Sequence, residues 1–543
     1  MPNLSQMSDP ADPAAAATPA SAAAARRGLI RSTAVFAAAT ALSRVLGLVR
    51  EVVASYYFGI TGLVNAFTVA FQIPNLVRAL VADAALSGAF VPIFSELLER
   101  GDRRRAWRVA STIFWLVLLG LGALTALFIL IAPLLLRPFG DPGGDPELAV
   151  GLARVLFPIV VLLGLTGVVV GILNSHDRFS AAALTPVLWN VAIIAGLVLG
   201  VPRADGGDAK LYVYAGAIVV ATLVQLLFPL PWLRGLDGRL RLVLDWRDPA
   251  VRRFFALMLP VTLSLGLINI NAVIGMLFAS RLIDPEQAPT AIDKAFRLYM
   301  LPQGMFSVAV ATVLFPTLAR LAARGDLDGF RRTVSGGLRQ IGFLLIPASL
   351  VSAVLAEPIV RLVYERGAFT EDDVGVVAAC LAAFSVGLVF NGWMLMLTRG
   401  FYGLQSNWLP TTIAVGTLAL NAGLNGVLYP LGTWAIPLAT SFTNVVGAGL
   451  MVTLLSRRAG SLHLRRVLDS TARIAVAAAL AAGVAFGSWY PLDRGLGRSL
   501  GAQVLALTVA LSVATLAYLA SCRALRVDEL RPLLILRRGG PSE

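Results

Sequence analysis

The sequence predicts an all-α integral membrane protein of about fourteen transmembrane helices, with two parallel six-helix lobes followed by two extra C-terminal helices. Of its 543 residues 57% are hydrophobic and only 14% are charged, and the mean hydropathy is +0.78. A soluble chain carries nearer a quarter charged residues. No apolar core of soluble domains could absorb this excess, so the bilayer must be the solvent for much of the chain.

Fourteen apolar runs are long enough to cross about 30 Å of hydrocarbon at a rise of about 1.5 Å per residue. They fall near residues 29–58, 63–98, 107–136, 148–174, 180–201, 211–233, 252–281, 291–322, 338–356, 373–403, 409–429, 433–455, 472–490 and 499–521. Several runs exceed the length that a span needs, and these helices should tilt or protrude.

The Lys and Arg residues orient the predicted spans. The N-terminal tail and every second loop hold 31 of the 45 basic residues, whereas the opposite loops and their flanks, where Lys294 is counted, hold ten. Because cytoplasmic loops carry an excess of Lys and Arg, both termini are predicted to lie in the cytoplasm. That arrangement requires an even number of spans, which fourteen satisfies.

The same pattern gives a domain organisation. Residues 1–25 are rich in Ala, Pro and Ser and poor in large apolar side chains, so we expect a disordered cytoplasmic tail. The predicted lobes cover residues 26–233 and 234–456, the two extra helices cover 457–525, and a short cytoplasmic tail covers 526–543.

Residues that could carry chemistry are sparse. The chain has two Cys, Cys380 and Cys522, and two His, His176 and His463. They offer no metal-ligand spacing, no CxxC pair and no Ser-His-Asp set. The net charge of +14 lies mostly in short Arg clusters between apolar runs, without the interleaved aromatic residues of a nucleic-acid surface. The sequence therefore predicts no enzyme, no cofactor and no nucleic-acid partner.

A repeated segment suggests two related halves. Val91 to Asp102, which closes the second span, reads VPIFSELLERGD, and Phe315 to Asp326, which closes the eighth, reads FPTLARLAARGD. The two are in register at an offset of 224 residues. Parallel repeats around a site near the bilayer midplane are a common plan of transporters. A basic turn that is simply used twice is the alternative.

Four arginines fall inside the apolar spans rather than in loops, and they are Arg44, Arg50, Arg78 and Arg297. An Arg at the bilayer centre costs about 2.5–3.5 kcal/mol on insertion scales. Arg78 lies roughly 20 Å along its helix, where its side chain reaches an interface with difficulty. We therefore expect a water-filled cavity that receives an anionic ligand. Ion pairs with Asp83, Glu51 or Glu96, or side chains that snorkel from a protruding helix end, are the structural alternative.

Several motifs between residues 28 and 525 resemble those of a transporter family in the same order. They are SRVLGLVRE (43–51), IPNLVR (73–78), AFVP (89–92), YERGAFT (364–370) and RGFY (399–402). On these motifs the chain resembles the MurJ/MviN family of lipid II flippases.

The resemblance implies the multidrug/oligosaccharidyl-lipid/polysaccharide exporter fold, a V-shaped pair of lobes and alternating access in the bacterial inner membrane. It implies that lipid II, an undecaprenyl-pyrophosphate-linked precursor, is flipped from the cytoplasmic to the outer leaflet for peptidoglycan synthesis, and hence for cell-wall biogenesis and cell shape. It also implies that helices 13 and 14 hold the lipid tail in a groove. Membrane lipids and the cell-wall synthesis or division machinery are the other expected partners.

The resemblance also assigns site residues. The pyrophosphate-binding arginines of the family correspond to Arg44, Arg50, Arg78 and Arg297. Guanidinium groups bind phosphate oxygens in bidentate pairs and stay charged at physiological pH. The expected supporting wall of the cavity comprises Glu51, Asn65, Asn75 and Asp83.

The chain departs from the family at two cavity positions and at a sodium site. Family members often carry an acidic residue where this chain has Asn65, and another where it has Met300. Some relatives bind sodium on helices 11 and 12, where this chain offers Asn421, Asn425 and Thr440. Hard cations prefer charged oxygen ligands, so only a weak sodium site is expected. Amides that pack helices together are the alternative.

Two other function classes remain open from the sequence. An exporter of drugs or of another polyprenyl-linked glycan would share the fold, and a non-transporting membrane scaffold would keep the helices. The four arginines favour the flippase over the scaffold, and together with the motif around Phe369 they favour lipid II as the substrate.

Overall fold

The protein is represented by a computed structural model that describes residues 19–81, 84–176, 178–406 and 408–530. Within these residues the chain forms eighteen α-helices and no β-strand. The first nine helices are α1 Pro19–Phe58, α2 Val64–Val81, α3 Ala84–Glu99, α4 Arg103–Leu136, α5 Pro146–Leu156, α6 Ile159–Asn174, α7 Phe179–Gly200, α8 Gly207–Leu227 and α9 Pro249–Phe278. The other nine are α10 Ala288–Pro302, α11 Val308–Ala323, α12 Leu327–Val354, α13 Ala356–Tyr364, α14 Glu371–Gly403, α15 Trp408–Leu428, α16 Ala435–Ala459, α17 Leu464–Leu496 and α18 Leu500–Ala524.

The structure confirms an all-α protein with many membrane-spanning helices. Eleven helical segments of the described residues are long and apolar enough to cross a membrane, and they coincide with eleven of the fourteen predicted spans. The other three predicted spans correspond to α1, to α2 with α3, and to α9. The count of fourteen therefore stays a prediction.

The N-terminal prediction needs a correction. Helix α1 begins at Pro19, so residues 19–25 of the expected disordered tail are helical. Ala has the highest helix propensity, and the Ala-rich run extends the membrane helix toward the N-terminus. Residues 1–18 and 531–543 lie outside the described residues, and with them most of both predicted tails.

The sequence repeat is a repeat of structure. Gly101 after α3 and Gly325 after α11 both adopt the left-handed conformation, with φ of +76° and +70°. The following residues, Asp102 and Asp326, each donate a backbone hydrogen bond to a carbonyl five residues earlier, at 3.1 and 3.0 Å. Both aspartates also cap the next helix, α4 or α12, through their side chains. Glycine ends each helix because it adopts positive φ without a steric penalty.

Two large apolar clusters form the interior. One is built from residues between Ala54 and Met276, and the other from residues between Ala291 and Leu530 together with Ile60. Helix α9, which the prediction assigned to the second lobe, contributes to the first cluster. A third, smaller cluster packs α17 and α18 against the end of α12. The exact lobe boundaries stay a prediction.

Candidate functional site

The four intramembrane arginines line one cavity of about 580 Å³. Arg44 and Arg50 lie on α1, Arg78 on α2 and Arg297 on α10. On a straight helix Arg44 and Arg50 point about 120° apart. Helix α1 is uninterrupted here, and Gly47 between them also lines the cavity, so the cavity is broad enough to reach both. The structure thus brings together the four arginines that the sequence analysis singled out, and their binding of pyrophosphate stays a prediction.

Helix α7 contributes two residues that the sequence analysis missed. The guanidinium carbon of Arg50 lies 4.8 Å from the centre of the Trp189 ring. Arg50 Nη1 also donates a 3.1 Å hydrogen bond to Asn190 Oδ1. The Asn190 amide in turn donates to the Pro186 carbonyl at 2.9 Å. These contacts hold the Arg50 guanidinium at the cavity wall, where Nη2 donates to Glu51 Oε1 at 2.7 Å.

Glu51 is the hub of a buried ion-pair cluster beside the cavity. Its side chain is only 6% exposed, and it pairs with Arg50 at 2.7 Å, Lys294 at 3.0 Å and Arg297 at 3.1 Å. Arg50 and Arg297 therefore do form ion pairs, as the structural alternative in the sequence analysis proposed. Both still line the cavity.

The placement of Lys294 corrects the sequence analysis, which counted it with the outer loops. Helix α10 begins at Ala288, so Lys294 lies nearly two turns inside it, and its side chain is 7% exposed. A buried ammonium requires a partner, and Glu51 supplies it. The sequence spacing could have indicated this position, because Lys294 precedes Arg297 by one helical turn and so lies on the same helix face.

Asp293 is another cavity residue that the sequence analysis did not predict. It lines the cavity and accepts a 2.8 Å hydrogen bond from Arg297 Nε one turn later on α10. Among the described residues, the charged groups around the cavity are five cations and two carboxylates, a formal net charge of +3. They are Arg44, Arg50, Arg78, Lys294 and Arg297 with Glu51 and Asp293.

Asn75 forms part of the cavity wall, as expected. Arg78 Nε and Nη2 donate to Asn75 Oδ1 at 3.0 and 2.9 Å, which fixes the guanidinium along the cavity side of α2. The expected wall residue Asp83 lies outside the described residues.

Asn65 does not belong to the cavity wall, which corrects the prediction. It is fully buried at the start of α2. Its amide nitrogen donates to the carbonyls of Ile60 and Gly62, at 2.8 and 3.1 Å, and to the carbonyl of Glu286. Its oxygen accepts from the backbone N–H of Thr290 at 2.9 Å. The side chain joins the α1–α2 turn to the start of α10, where the backbone N–H of Thr290 has no intrahelical partner.

The end of the molecule predicted to face outside is closed by contacts between distant parts of the chain. Gly62 N donates to the Glu286 carbonyl, and Ala368 N donates to the Tyr56 carbonyl, both at 2.8 Å. The hydroxyls of Thr68 and Thr290 lie 2.8 Å apart. These bonds join the α1–α2 region to α10 and to the segment before α14, so the cavity is separated from this end.

Gly59 allows one of these approaches. Its φ is +60°, and a Cβ atom there would lie 2.6 Å from the Ala368 carbonyl oxygen. Any other residue would therefore be strained and would push the two segments apart.

The weak sodium candidates form hydrogen bonds with one another. Asn421 on α15 donates to Thr440 on α16 at 3.3 Å, and Asn425 donates to Asn421 Oδ1 at 3.0 Å. Within the described part of the chain no group of three or more His, Cys, Asp or Glu side chains could hold a metal ion. These hydrogen bonds fit amides that pack two helices together, whereas the buried Asn425 Oδ1 has no hydrogen-bond partner, so the weak sodium site stays a prediction.

Comparison with known proteins points to one family. The family model described as lipid II flippase MurJ matches residues 54–489. A lipid II flippase MurJ from Burkholderia cenocepacia is 33% identical over 413 residues, which cover 74% of this chain and 79% of that protein. A probable lipid II flippase MurJ from Vibrio cholerae is 32% identical, and the match covers 84% of this chain and 88% of that protein.

A solved structure shares the fold. The structure of a lipid II flippase MurJ in an inward closed conformation matches with a TM-score of 0.73 and 23% identity, covering 90% of this chain and 99% of that chain. At 23% sequence identity this match shows only that the two proteins share a fold.

Proposed function

The chain belongs to the MurJ family of lipid II flippases, and from this premise we propose that its arginine cavity binds the pyrophosphate of lipid II during flipping. It is a multi-pass membrane protein of a transporter family. The proposed activity carries the lipid between leaflets without making or breaking a covalent bond, so it requires neither a catalytic residue nor a cofactor.

The observation that carries this proposal is the convergence of four arginines on one cavity. Three different helices bring them together, and the charged groups that the structure describes around the cavity sum to +3. Pyrophosphate is the strongly anionic part of lipid II, and guanidinium groups form charge-assisted, bidentate hydrogen bonds with its oxygens. Removing these charges from water is costly unless an anion compensates them.

The closed end supports alternating access. Contacts through Asn65, Thr68 and Ala368 shut the end predicted to face outside. In this state the cavity would be loaded from the cytoplasmic side. Release to the outer leaflet then requires these contacts to break while an equivalent closure forms at the cytoplasmic end.

Helices α17 and α18 are proposed to hold the prenyl tail, an assignment that follows the family resemblance. They pack on α12, where the Tyr518 hydroxyl donates to the Phe343 carbonyl at 2.7 Å. Apolar side chains remain exposed along both helices, among them Leu480 on α17 and Leu516 on α18. We place the protein in the bacterial inner membrane with both termini in the cytoplasm, following the distribution of basic residues.

Depletion of the protein followed by measurement of lipid II in each leaflet tests the proposal. We expect lipid II to accumulate in the inner leaflet and the outer-leaflet pool to fall. Expression of the unchanged chain should restore the outer pool. Normal outer-leaflet lipid II together with accumulation of a different polyprenyl glycan would assign the protein to the other substrate.

A further inference from the structure

The segment 234–248 connects the two halves of the chain and has one surface fixed to the protein and one left uncovered. We propose that residues 239–247 lie in the membrane interface and bind the headgroups of anionic phospholipids. This site is distinct from the arginine cavity and does not depend on the flipped substrate.

The middle of the segment is bound along α4. The backbone N–H of Arg241 donates to Ser111 Oγ at 3.0 Å, and its carbonyl accepts from Trp115 Nε1 at 2.9 Å. The backbone N–H of Asp245 donates to Thr112 Oγ1 at 3.2 Å. Non-helical backbone can approach the hydrocarbon region only where its polar groups have partners, and α4 supplies them here.

Both ends of the segment are fixed as well. Asp237 accepts a 2.9 Å hydrogen bond from Trp107 Nε1, and Gly238 lies so close to that ring that a Cβ atom would be 2.2 Å from it. Asp248 accepts two hydrogen bonds from Arg105, at 3.1 and 3.0 Å. The bond from Arg105 is the main reason that the pKa of Asp248 falls below its usual value. The segment is therefore a fixed part of the fold.

The length of α4 places this segment at the hydrocarbon boundary. Trp115 precedes Leu136, the last residue of α4, by 21 positions, which corresponds to about 32 Å along the helix axis. The hydrocarbon core is about 30 Å thick. With Leu136 at the outer boundary, the contact between Trp115 and Arg241 falls at the cytoplasmic boundary, where Trp side chains are enriched.

The uncovered surface of the segment is apolar. Leu242, Leu244 and Trp246 are 76%, 46% and 58% exposed, whereas the intervening Val243 and Asp245 are half-buried. A row of large apolar side chains on a fixed segment is unfavourable in water and favourable in the acyl region below the headgroups.

Three arginines flank this apolar row. Arg239, Arg241 and Arg247 are all exposed, and the Arg247 guanidinium lies 5.2 Å from the centre of the Trp246 ring. At the interface these cations would stand at the level of the lipid phosphates, while the apolar residues beside them enter the bilayer. Anionic lipids attract such basic segments. A soluble protein partner would not account for the position of the segment at the hydrocarbon boundary.

A depth measurement tests the position. A nitroxide attached to Leu242→Cys in vesicles containing phosphatidylglycerol should be accessible to oxygen and protected from a water-soluble nickel complex. The native Cys380 and Cys522 are buried and should remain unlabelled. A nitroxide at Asp328→Cys, in the exposed start of α12, gives the aqueous reference. Equal nickel accessibility at both sites would overturn the proposal.

A binding measurement tests the headgroup. The triple variant Arg239→Gln, Arg241→Gln, Arg247→Gln should retain less phosphatidylglycerol in native mass spectrometry, by about fivefold for each arginine removed. The matched control removes three exposed arginines from other loops predicted to be cytoplasmic, Arg324→Gln, Arg332→Gln and Arg457→Gln, and should retain the lipid. Equal retention by the two variants would overturn the proposal. Flipping is not the readout, so the result is independent of the substrate.

Discussion

The carboxylate of Glu51 on α1 accepts a 3.0 Å hydrogen bond from the ammonium group of Lys294 on α10, beside the arginine cavity. Its two oxygens have different partners, since Oε2 faces Lys294 while Oε1 contacts both Arg50 and Arg297. An anion that binds both arginines would draw them from Oε1 and leave the Lys294 pair intact. Lys294 would then compensate the Glu51 charge next to the bound pyrophosphate.

Lys294→Met should therefore reduce both flipping and pyrophosphate binding. Without the ammonium group, Glu51 holds Arg50 and Arg297 more strongly and repels the anion. Breaking a buried pair costs about 3–5 kcal/mol, so the melting temperature should fall as well. Flipping in proteoliposomes and binding of undecaprenyl pyrophosphate to the folded protein measure the two effects.

The double variant Glu51→Gln, Lys294→Met removes the pair without changing the net charge. We expect it to recover stability and part of the binding that Lys294→Met loses. Lys210→Met, in a loop predicted to be outside, is the matched control because Lys210 is the other lysine of the chain. Unchanged binding by folded Lys294→Met protein would limit Lys294 to a structural role.

Arg78→Ala should abolish flipping while the protein remains folded. Arg78 donates two hydrogen bonds to Asn75 at the cavity wall, and its removal takes a costly charge out of the empty cavity. In the loaded state each charge-assisted hydrogen bond is worth about 1.5–3 kcal/mol. Arg78→Lys should recover only part of the activity, because an ammonium lacks the planar fork of a guanidinium. Arg324→Ala, at an exposed position, serves as the control; normal flipping by Arg78→Ala would contradict the cavity assignment.

Arg297→Ala should lose flipping and stability together. Arg297 pairs with both Asp293 and Glu51. Its removal leaves Asp293 without that partner inside the membrane region. Thermal unfolding of Arg297→Ala and of the unchanged protein side by side measures the loss of stability. Equal melting temperatures would show that these ion pairs contribute little to the fold.

Asn65→Ala should favour opening of the end predicted to face outside. Its side chain binds the Ile60 carbonyl on one side of the closure and the Thr290 N–H on the other, and each buried group left without a partner costs about 1–3 kcal/mol. The open population should rise by about tenfold or more. Double electron–electron resonance between nitroxides at Asp208→Cys and Asp372→Cys, two exposed positions, measures the distance across this end. Asn421→Ala, which removes a buried amide within the α15–α16 pair, should leave the distance unchanged.

Thiol labelling should find residues 203–210 and 365–373 outside and residues 101–106 and 457–466 inside. The distribution of Lys and Arg predicts this topology, and single cysteines at exposed positions in each segment measure it. Both native cysteines are buried, so the background should be low. Labelling of the 457–466 loop from outside would contradict the count of fourteen spans.

Flipping should depend on the membrane potential more than on sodium. Asn421, Asn425 and Thr440 include no carboxylate and are hydrogen-bonded to one another. An inside-negative potential favours return of the empty, positively charged cavity to the inward state, by about 2.3 kcal/mol per charge per 100 mV. Transport in vesicles with potential and sodium varied separately measures this. Loss of flipping on sodium removal at constant potential would refute the prediction.

Much of the architecture follows from the one-dimensional pattern. Long apolar runs must become membrane helices because unpaired backbone groups are costly in lipid. The repeated Gly-Asp turn can be recognised from the sequence because glycine at positive φ and an aspartate N-cap are local requirements of a helix end and a helix start. The four arginines can also be recognised from the sequence, because a charged residue in an apolar run needs polar surroundings wherever its helix packs.

Tertiary structure alone decided the partners of these charges. The sequence by itself determined the helical membrane class, the repeated turn and the arginines of the cavity, since each depends on properties of neighbouring residues. It could not place Lys294 against Glu51 or remove Asn65 from the cavity, because those contacts join positions more than 200 residues apart. Which side chains meet across such a separation in sequence depends on how whole helices pack. Even residues one turn apart on a helix can face a cavity, a closed end or lipid.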